Sequence, residues 1–199
     1  MRIRGILTAP AMLALTLSAG ACSKSAVVSP DSRPAAWAEP ISKPGLPNLH
    51  KVSDALFRGA QPTPEGFKEL QALGVKTVIN LRSSHTDDDE IGTFPFRKVR
   101  IRCKAWDPDQ DEVEEFLRVA THPGNQPVFV HCQHGADRTG LMCAIWRMAV
   151  QGWTREQAVD EMTKGGFGYH TVWDDLLKYL QTVDAGALRK KAGLPDPPK

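Results

Sequence analysis

His131-Cys132-Gln133-His134-Gly135-Ala136-Asp137-Arg138-Thr139-Gly140 decides how this chain is read. Before it, Gln126-Pro127-Val128-Phe129-Val130 has the content of a short buried strand that ends at His131. After it, Leu141-Met142-Cys143-Ala144-Ile145-Trp146-Arg147-Met148 reads as an apolar helix. The ten residues therefore join a strand's C-terminal end to a helix N-terminus, where free backbone N–H groups and the helix dipole gather anions. That field favours Cys132 as a thiolate, and the planar guanidinium of Arg138 can clamp two phosphoryl oxygens at once. A thiolate beneath a bound phosphoryl group is a nucleophile aimed at phosphorus. A buried cysteine beside an unrelated glycine turn would satisfy Cys-x5-Arg alone, but not the full decapeptide set between strand and helix.

Outward from the loop, strands and helices alternate. Ala55 to Arg58 and Thr77 to Leu81 read as strands, with a helix from about Pro64 to Leu73 between them that Gly74 stops. Val99, Ile101 and Cys103 alternate with Arg100, Arg102 and Lys104, which predicts a strand from about Arg97 to Cys103 with one cationic, solvated face. A helix follows from about Gln110 to Ala120, started by Asp109 and Glu112 at capping-box spacing. Thr154 and Gln157 have the same spacing at the head of another helix, and a last one runs from about Val172 to Leu180. The acidic run Asp87 to Glu90 reads as a solvated loop. The pattern predicts an α/β fold, a parallel-dominated sheet flanked by helices on both faces, with its chemistry beyond the strand C-termini.

The N-terminus begins with Arg2 and Arg4, continues with a mostly apolar run from Ile6 to Leu17, and ends in Ser18-Ala19-Gly20-Ala21-Cys22. That run is too short to span a bilayer and suits a signal-peptide core. Ala19-x-Ala21 permits ordinary cleavage and simple secretion. Cys22 directly after small residues instead suits a lipobox, although leucine is missing at the third position before it. Lipidation of Cys22, a periplasmic location and an outer-membrane tether form the preferred expectation. The expected divisions are 1–21 signal peptide, 22–49 a Pro/Ser/Ala-rich tether, 50–184 a single catalytic domain and 185–199 a tail; Trp37 and Ile41 leave open an ordered arm instead. The formal net charge of +2 falls to near zero once Arg2 and Arg4 leave with the signal, so bulk charge offers no case for nucleic acid as a partner. A monomer is expected, with membrane contact only through the lipid.

The signature closely resembles that of the cysteine-dependent protein tyrosine phosphatase superfamily in its compact dual-specificity branch. The resemblance extends to Leu56-Phe57-Arg58-Gly59-Ala60-Gln61-Pro62-Thr63-Pro64 and to Gly74-Val75-Lys76-Thr77-Val78-Ile79-Asn80-Leu81-Arg82. Gln151-Gly152-Trp153 and Gly165-Gly166-Phe167-Gly168 resemble small periplasmic bacterial members. The resemblance runs from about Asp54 to Tyr169. It implies hydrolysis of phosphotyrosine, with phosphoserine and phosphothreonine as further candidates, through a phosphocysteine on Cys132. Gln133, His134, Gly135, Ala136, Asp137 and Arg138 would bind the phosphoryl group. Thr139 would donate its hydroxyl to Cys132, or else cap the helix. His131 would orient the loop or be a satisfied core histidine. Cys143 is expected as a buried helix residue, and Cys103 as a buried strand residue rather than a redox partner of Cys132.

The leaving oxygen needs a general acid. In Trp106-Asp107-Pro108-Asp109-Gln110-Asp111, Asp109 is taken by its cap and Asp111 lies inside the first turn, which leaves Asp107. By resemblance the acid falls nearest Trp106, one position away. Asp137 is the alternative, since myotubularin-like phosphoinositide phosphatases also carry Asp before the loop arginine. No cofactor is expected, and no metal-ligand spacing is found. Two other functions remain open: a phosphatase of phosphoinositides, inositol phosphates or other small phosphoesters, and a non-enzymatic phospho-binding module. Gln133, His134 and Ala136 put no lysine in the loop, which argues against inositol polyphosphates.

Overall fold

The computed structural model describes residues 33–195. The expected signal sequence, with Cys22 as its lipidation site, lies outside the described residues. The elements are β1 (Glu39–Pro40), β2 (His50–Ser53), β3 (Leu56–Gly59), α1 (Pro64–Ala72), β4 (Thr77–Asn80), α2 (Asp88–Ile91), β5 (Arg97–Arg100), α3 (Gln110–Ala120), β6 (Val128–His131), α4 (Asp137–Ala149), α5 (Arg155–Lys164), α6 (Asp174–Thr182) and α7 (Ala185–Lys191). The six strands form one sheet in the order β1-β2-β3-β6-β4-β5. The β3-β6-β4-β5 run is parallel, while β1, β2 and β3 pair antiparallel. In register, Gly59, His131 and Asn80 stand side by side at the C-terminal ends of β3, β6 and β4.

The central strands β3, β4 and β6 are buried on both faces because their residues alternate between two cores. Leu56, Ile79, Val128 and Val130 face one core, with residues of α3, α4, α5, α6 and α7. Phe57, Val78 and Phe129 face the other, with Phe67 and Leu70 of α1 and Ile91 of α2. That period-two alternation with apolar residues on both sides is what a parallel strand under two helical layers requires. Nearly every residue of α4 is buried, so it is the central helix of its layer and packs against α3, α5, α6 and α7. A helix buried on nearly every side can only sit there.

The expected α3 matches residue for residue, and both capping boxes form: Asp109 with Glu112 ahead of α3, Thr154 with Gln157 ahead of α5. Four expectations need correction. The cationic strand stops at Arg100, yet Ile101 and Cys103 stay buried and Arg102 and Lys104 exposed, so the alternation outlasts the ladder. The acidic run is not a solvated loop: Asp88 to Ile91 is helical and Asp87 is buried. The stretch expected as a tether through residue 49 is ordered at least from Arg33. Ala38 is 1% exposed, its N–H donates to Glu161 Oε1 at 2.6 Å, and Arg33 binds the carbonyls of Ala38 and Gly165. The tail expected from residue 185 begins with α7, which buries Leu188 and Arg189 against the α4 layer.

Arg147 and Glu161 join the arm to that layer. Arg147 Nε donates to Glu161 Oε2 at 2.7 Å and Nη2 to Oε1 at 2.6 Å, with both side chains about 3% exposed. Further bonds to Val52 O and Gln151 Oε1, and the Trp153 ring 4.2 Å from the guanidinium, satisfy the buried charge. Such a pair contributes more to fixing one arrangement than to net stability, and breaking one side of it costs several kcal/mol (about 3–5).

Candidate active site

Beyond the C-terminal end of β6 the chain turns through Cys132 to Ala136 and enters α4 at Asp137. Three neighbours hold the carbonyls of that turn. Gln61 N donates to Gln133 O at 3.3 Å, Asn48 Nδ2 to His134 O at 2.9 Å, and Arg58 Nη2 to Gly135 O at 2.7 Å. Among the described residues, the N–H groups of Gln133, His134, Gly135 and Ala136 donate to no protein acceptor. A loop whose carbonyls are tied back while its amides stay free is a cradle for an anion. Gly135 has φ +70°, and a Cβ there would meet the Gly59 and Ala60 backbone at 2.5–2.6 Å. Glycine is required both by conformation and by the close approach of β3 behind the loop. Arg58 itself is buried, its guanidinium 3.5 Å from the centroid of the Phe167 ring.

Cys132 is 1% exposed at the base of this cradle, with Gln133 and His134 exposed at its rim and Ala136 buried. Arg138 is half-buried on the first turn of α4, and its Nε is buried without a partner among the described residues. Thr139 is fully buried and its Oγ1 has no partner among the described residues, so the expected hydrogen bond to the Cys132 sulfur is not formed. Ala136 holds the N-cap position, so Thr139 sits inside the helix and does not cap it. The other two described cysteines differ in setting. Burial pushes the Cys143 thiol up to about 11, and burial with Glu112 nearby raises Cys103 further. Both are neutral thiols at ordinary pH, which fits packing rather than attack.

His131 is fixed from a place the sequence does not advertise. Its Nε2 stands 2.9 Å from Asp87 Oδ2, across 44 residues, with both side chains buried. Gln61 Nε2 donates to the other Asp87 oxygen at 2.8 Å, and Arg82 donates to Gln61 Oε1 at 3.0 Å. Burial works against the charge on Asp87, but the hydrogen bonds from His131 and Gln61 outweigh it and hold the carboxyl below its usual range. A carboxyl shifted that way adds stability above its unfolded pKa, about 3.9, and the contribution disappears as pH falls through the folded value. Asp87→Asn is therefore expected to cost about 1–3 kcal/mol at pH 7. The gap from wild type should begin to narrow below about pH 4 and close only beneath the folded value. Urea melts at pH 7 and pH 3 check this, and a gap of equal size at both would show that the charge is not what holds the pair.

The two acid candidates are placed differently. Asp107 lies exposed on the loop before α3, its Oδ2 3.4 Å from Lys104 Nζ. Asp109 caps α3 and accepts from Asp111 N at 2.8 Å, as expected. Asp137 is buried and accepts at Oδ1 from His170 N at 2.9 Å, while His170 Nδ1 stands 2.9 Å from Oδ2. A buried carboxyl held through both oxygens by His170 is poorly placed to serve a departing oxygen. The same contacts bring the segment around His170 against the signature loop, with the His134 and His170 ring centroids 5.2 Å apart. Trp173 in turn lies 6.1 Å from Trp106, so the Asp107 loop flanks that segment. Sequence reading missed Asn48, Arg58, Gln61, Asp87 and His170; only Arg58 and Gln61 fall inside a stretch that carried the resemblance.

A parallel sheet ending in a Cys-x5-Arg cradle at a helix N-terminus defines the class as a cysteine-based phosphatase. A family model described as a DSP-PTPase phosphatase fused to NAD+ kinase matches residues 46–175. The chain is 38% identical over 162 residues to the dual specificity protein phosphatase TpbA of Pseudomonas aeruginosa strain UCBPP-PA14, covering 79% of this chain and 71% of that one. The crystal structure of P. aeruginosa TpbA superposes with a TM-score of 0.73 at 35% identity, covering 81% of this chain and 99% of that one. An inositol diphosphatase of Arabidopsis thaliana is 26% identical over 151 residues, 72% of this chain and 73% of its own. The chain belongs to the dual-specificity family of cysteine-dependent protein tyrosine phosphatases.

Proposed function

We propose that the chain hydrolyses phosphotyrosine monoesters through a covalent phosphocysteine. The observation that carries this is the cradle of free amides above Cys132 with the partnerless Nε of Arg138 at its side. The Cys132 sulfur attacks phosphorus in line, the P–O ester bond breaks, and Asp107 gives its proton to the departing oxygen. Arg138 and the loop amides stabilise the charge on the three equatorial oxygens. Water then attacks phosphorus, Asp107 takes its proton, and the P–S bond breaks. The buried hydroxyl of Thr139, unpaired among the described residues, Cys132 included, would donate to the sulfur as nucleophile and as leaving group. No step uses a metal or cofactor.

The choice of an aryl ester rests on the rim. Trp106 is 59% exposed and Val172 72% exposed, the two exposed large hydrophobic side chains among the described residues. Both lie on the two loops that the Trp106–Trp173 contact brings together. An aromatic ring leaving the cradle has apolar surface to lie against, whereas an inositol polyphosphate would want lysines beside Arg138 that the loop lacks. A related TpbA variant, 34% identical, has been solved in complex with pTyr, which supports the same choice. A substrate panel tests it. Phosphotyrosine peptides are expected to give a higher kcat/KM than phosphoserine peptides or inositol polyphosphates. Trp106→Ala should lower the phosphotyrosine value about 3–10-fold, in line with an aromatic contact of about 0.5–1.5 kcal/mol. A preference for inositol polyphosphates would replace this reading with the small-phosphoester one.

A further inference from the structure

The sequence shows no metal-ligand spacing, because the residues that matter come from distant segments. His134 of the signature loop, Asp137 at the start of α4 and His170 between α5 and α6 each offer one ligand atom, and these lie within 4.8 Å of one another. Asp137 is 5% exposed, whereas both imidazoles are open to solvent. A carboxylate backed by protein therefore faces two nitrogen donors at the surface. The bond from His170 N to Asp137 Oδ1 fixes the carboxylate's orientation, the part an outer-shell partner plays in protein metal sites.

We propose that His134, Asp137 and His170 bind a borderline divalent cation, zinc above all, and that its binding reversibly inhibits the phosphatase. Two imidazoles and one carboxylate suit zinc, with water in the fourth position, while magnesium and calcium prefer all-oxygen surroundings. Zinc–ligand bonds of about 2.0–2.2 Å in a tetrahedron put ligand atoms roughly 3.3–3.5 Å apart. His170 Nδ1 and Asp137 Oδ2 at 2.9 Å need only open slightly as the cation replaces their shared proton. The exposed ring of His134 closes the remaining distance by a side-chain rotation. Because His134 belongs to the loop and Asp137 directly precedes Arg138, the cation ties the loop to His170 across the mouth where substrate enters.

The test separates this site from the catalytic thiolate, itself a zinc ligand. Calorimetric titration of zinc into Cys132→Ser protein is expected to show one ion per chain, at least tenfold weaker in His170→Ala and in His134→Ala, with no binding of magnesium. Circular dichroism confirms that each variant is folded, and exposed His134 supplies the second variant should His170→Ala not be. With wild type, micromolar zinc should suppress turnover of an aryl phosphate and EDTA should restore it. His170→Ala should need at least tenfold more zinc for the same suppression. Absence of binding in Cys132→Ser, or undiminished binding in both histidine variants, overturns the site. Inhibition unchanged in His170→Ala overturns its inhibitory role. The inhibitory part rests on the phosphatase reading but the calorimetry does not, so zinc binding by a chain that turns over no phosphoester would fault that reading alone.

Discussion

Cys132→Ser is expected to lower steady-state turnover by at least about 10³-fold, the scale on which removing a nucleophile acts, while a phosphotyrosine peptide still binds. Serine has no readily formed anion to attack with, but the loop amides and Arg138 remain to hold the phosphoryl group. Arg138→Lys should be nearly as damaging, because a point charge cannot replace two parallel N–H bonds to equatorial oxygens. The measurement is turnover of an aryl phosphate beside peptide binding by the same proteins. Substantial turnover by pure Cys132→Ser would rule out the phosphocysteine route. Because that route needs no metal, EDTA should not lower the activity of the metal-free enzyme.

The second large effect concerns the proton. Asp107→Asn is expected to slow phosphotyrosine hydrolysis about 10²–10⁴-fold, the range of a general acid's contribution. It should matter much less for an activated aryl phosphate, whose leaving group departs without a proton. Asp109→Asn preserves the cap on α3, since asparagine caps as well as aspartate, and should leave both rates near wild type. Asp137→Asn should not show the dependence on leaving group, because Asp137 Oδ1 accepts from His170 N and Oδ2 lies 2.9 Å from His170 Nδ1, which ties the buried carboxyl to that segment. If Asp107→Asn slows good and poor leaving groups alike, or neither, the acid is elsewhere and Asp137 becomes the leading candidate.

What the sequence made legible was whatever local chemistry decides. Apolar residues before and after the signature placed β6 and α4, and the two capping boxes started α3 and α5 where the spacing said they would. Gly74 ended α1 with a positive φ. What stayed hidden depends on partners far along the chain. Asp87 looked solvated among three other acidic residues because the histidine that draws it inward is 44 positions away. His170 and Asp137 meet across 33 positions, so neither the tie nor the His134-Asp137-His170 cluster has a sequence signature. The arm from Arg33 carries a linker's composition and is held by hydrogen bonds to Glu161 and Gly165 rather than by an apolar stripe. α7 is short and ends in Arg189-Lys190-Lys191, which reads as a tail until Leu188 and Arg189 are seen packed.

The ties that shape the phosphate loop come from both ends of the domain. Asn48 binds both His134 O and Phe167 O, and Phe167 in turn covers Arg58, which holds Gly135 O. No fragment that lacks either Asn48 or Phe167 can carry the loop in this form. A protease that trims the chain from either end past those residues would thus disarm the enzyme while leaving Cys132, Arg138 and the helix that bears Arg138 untouched.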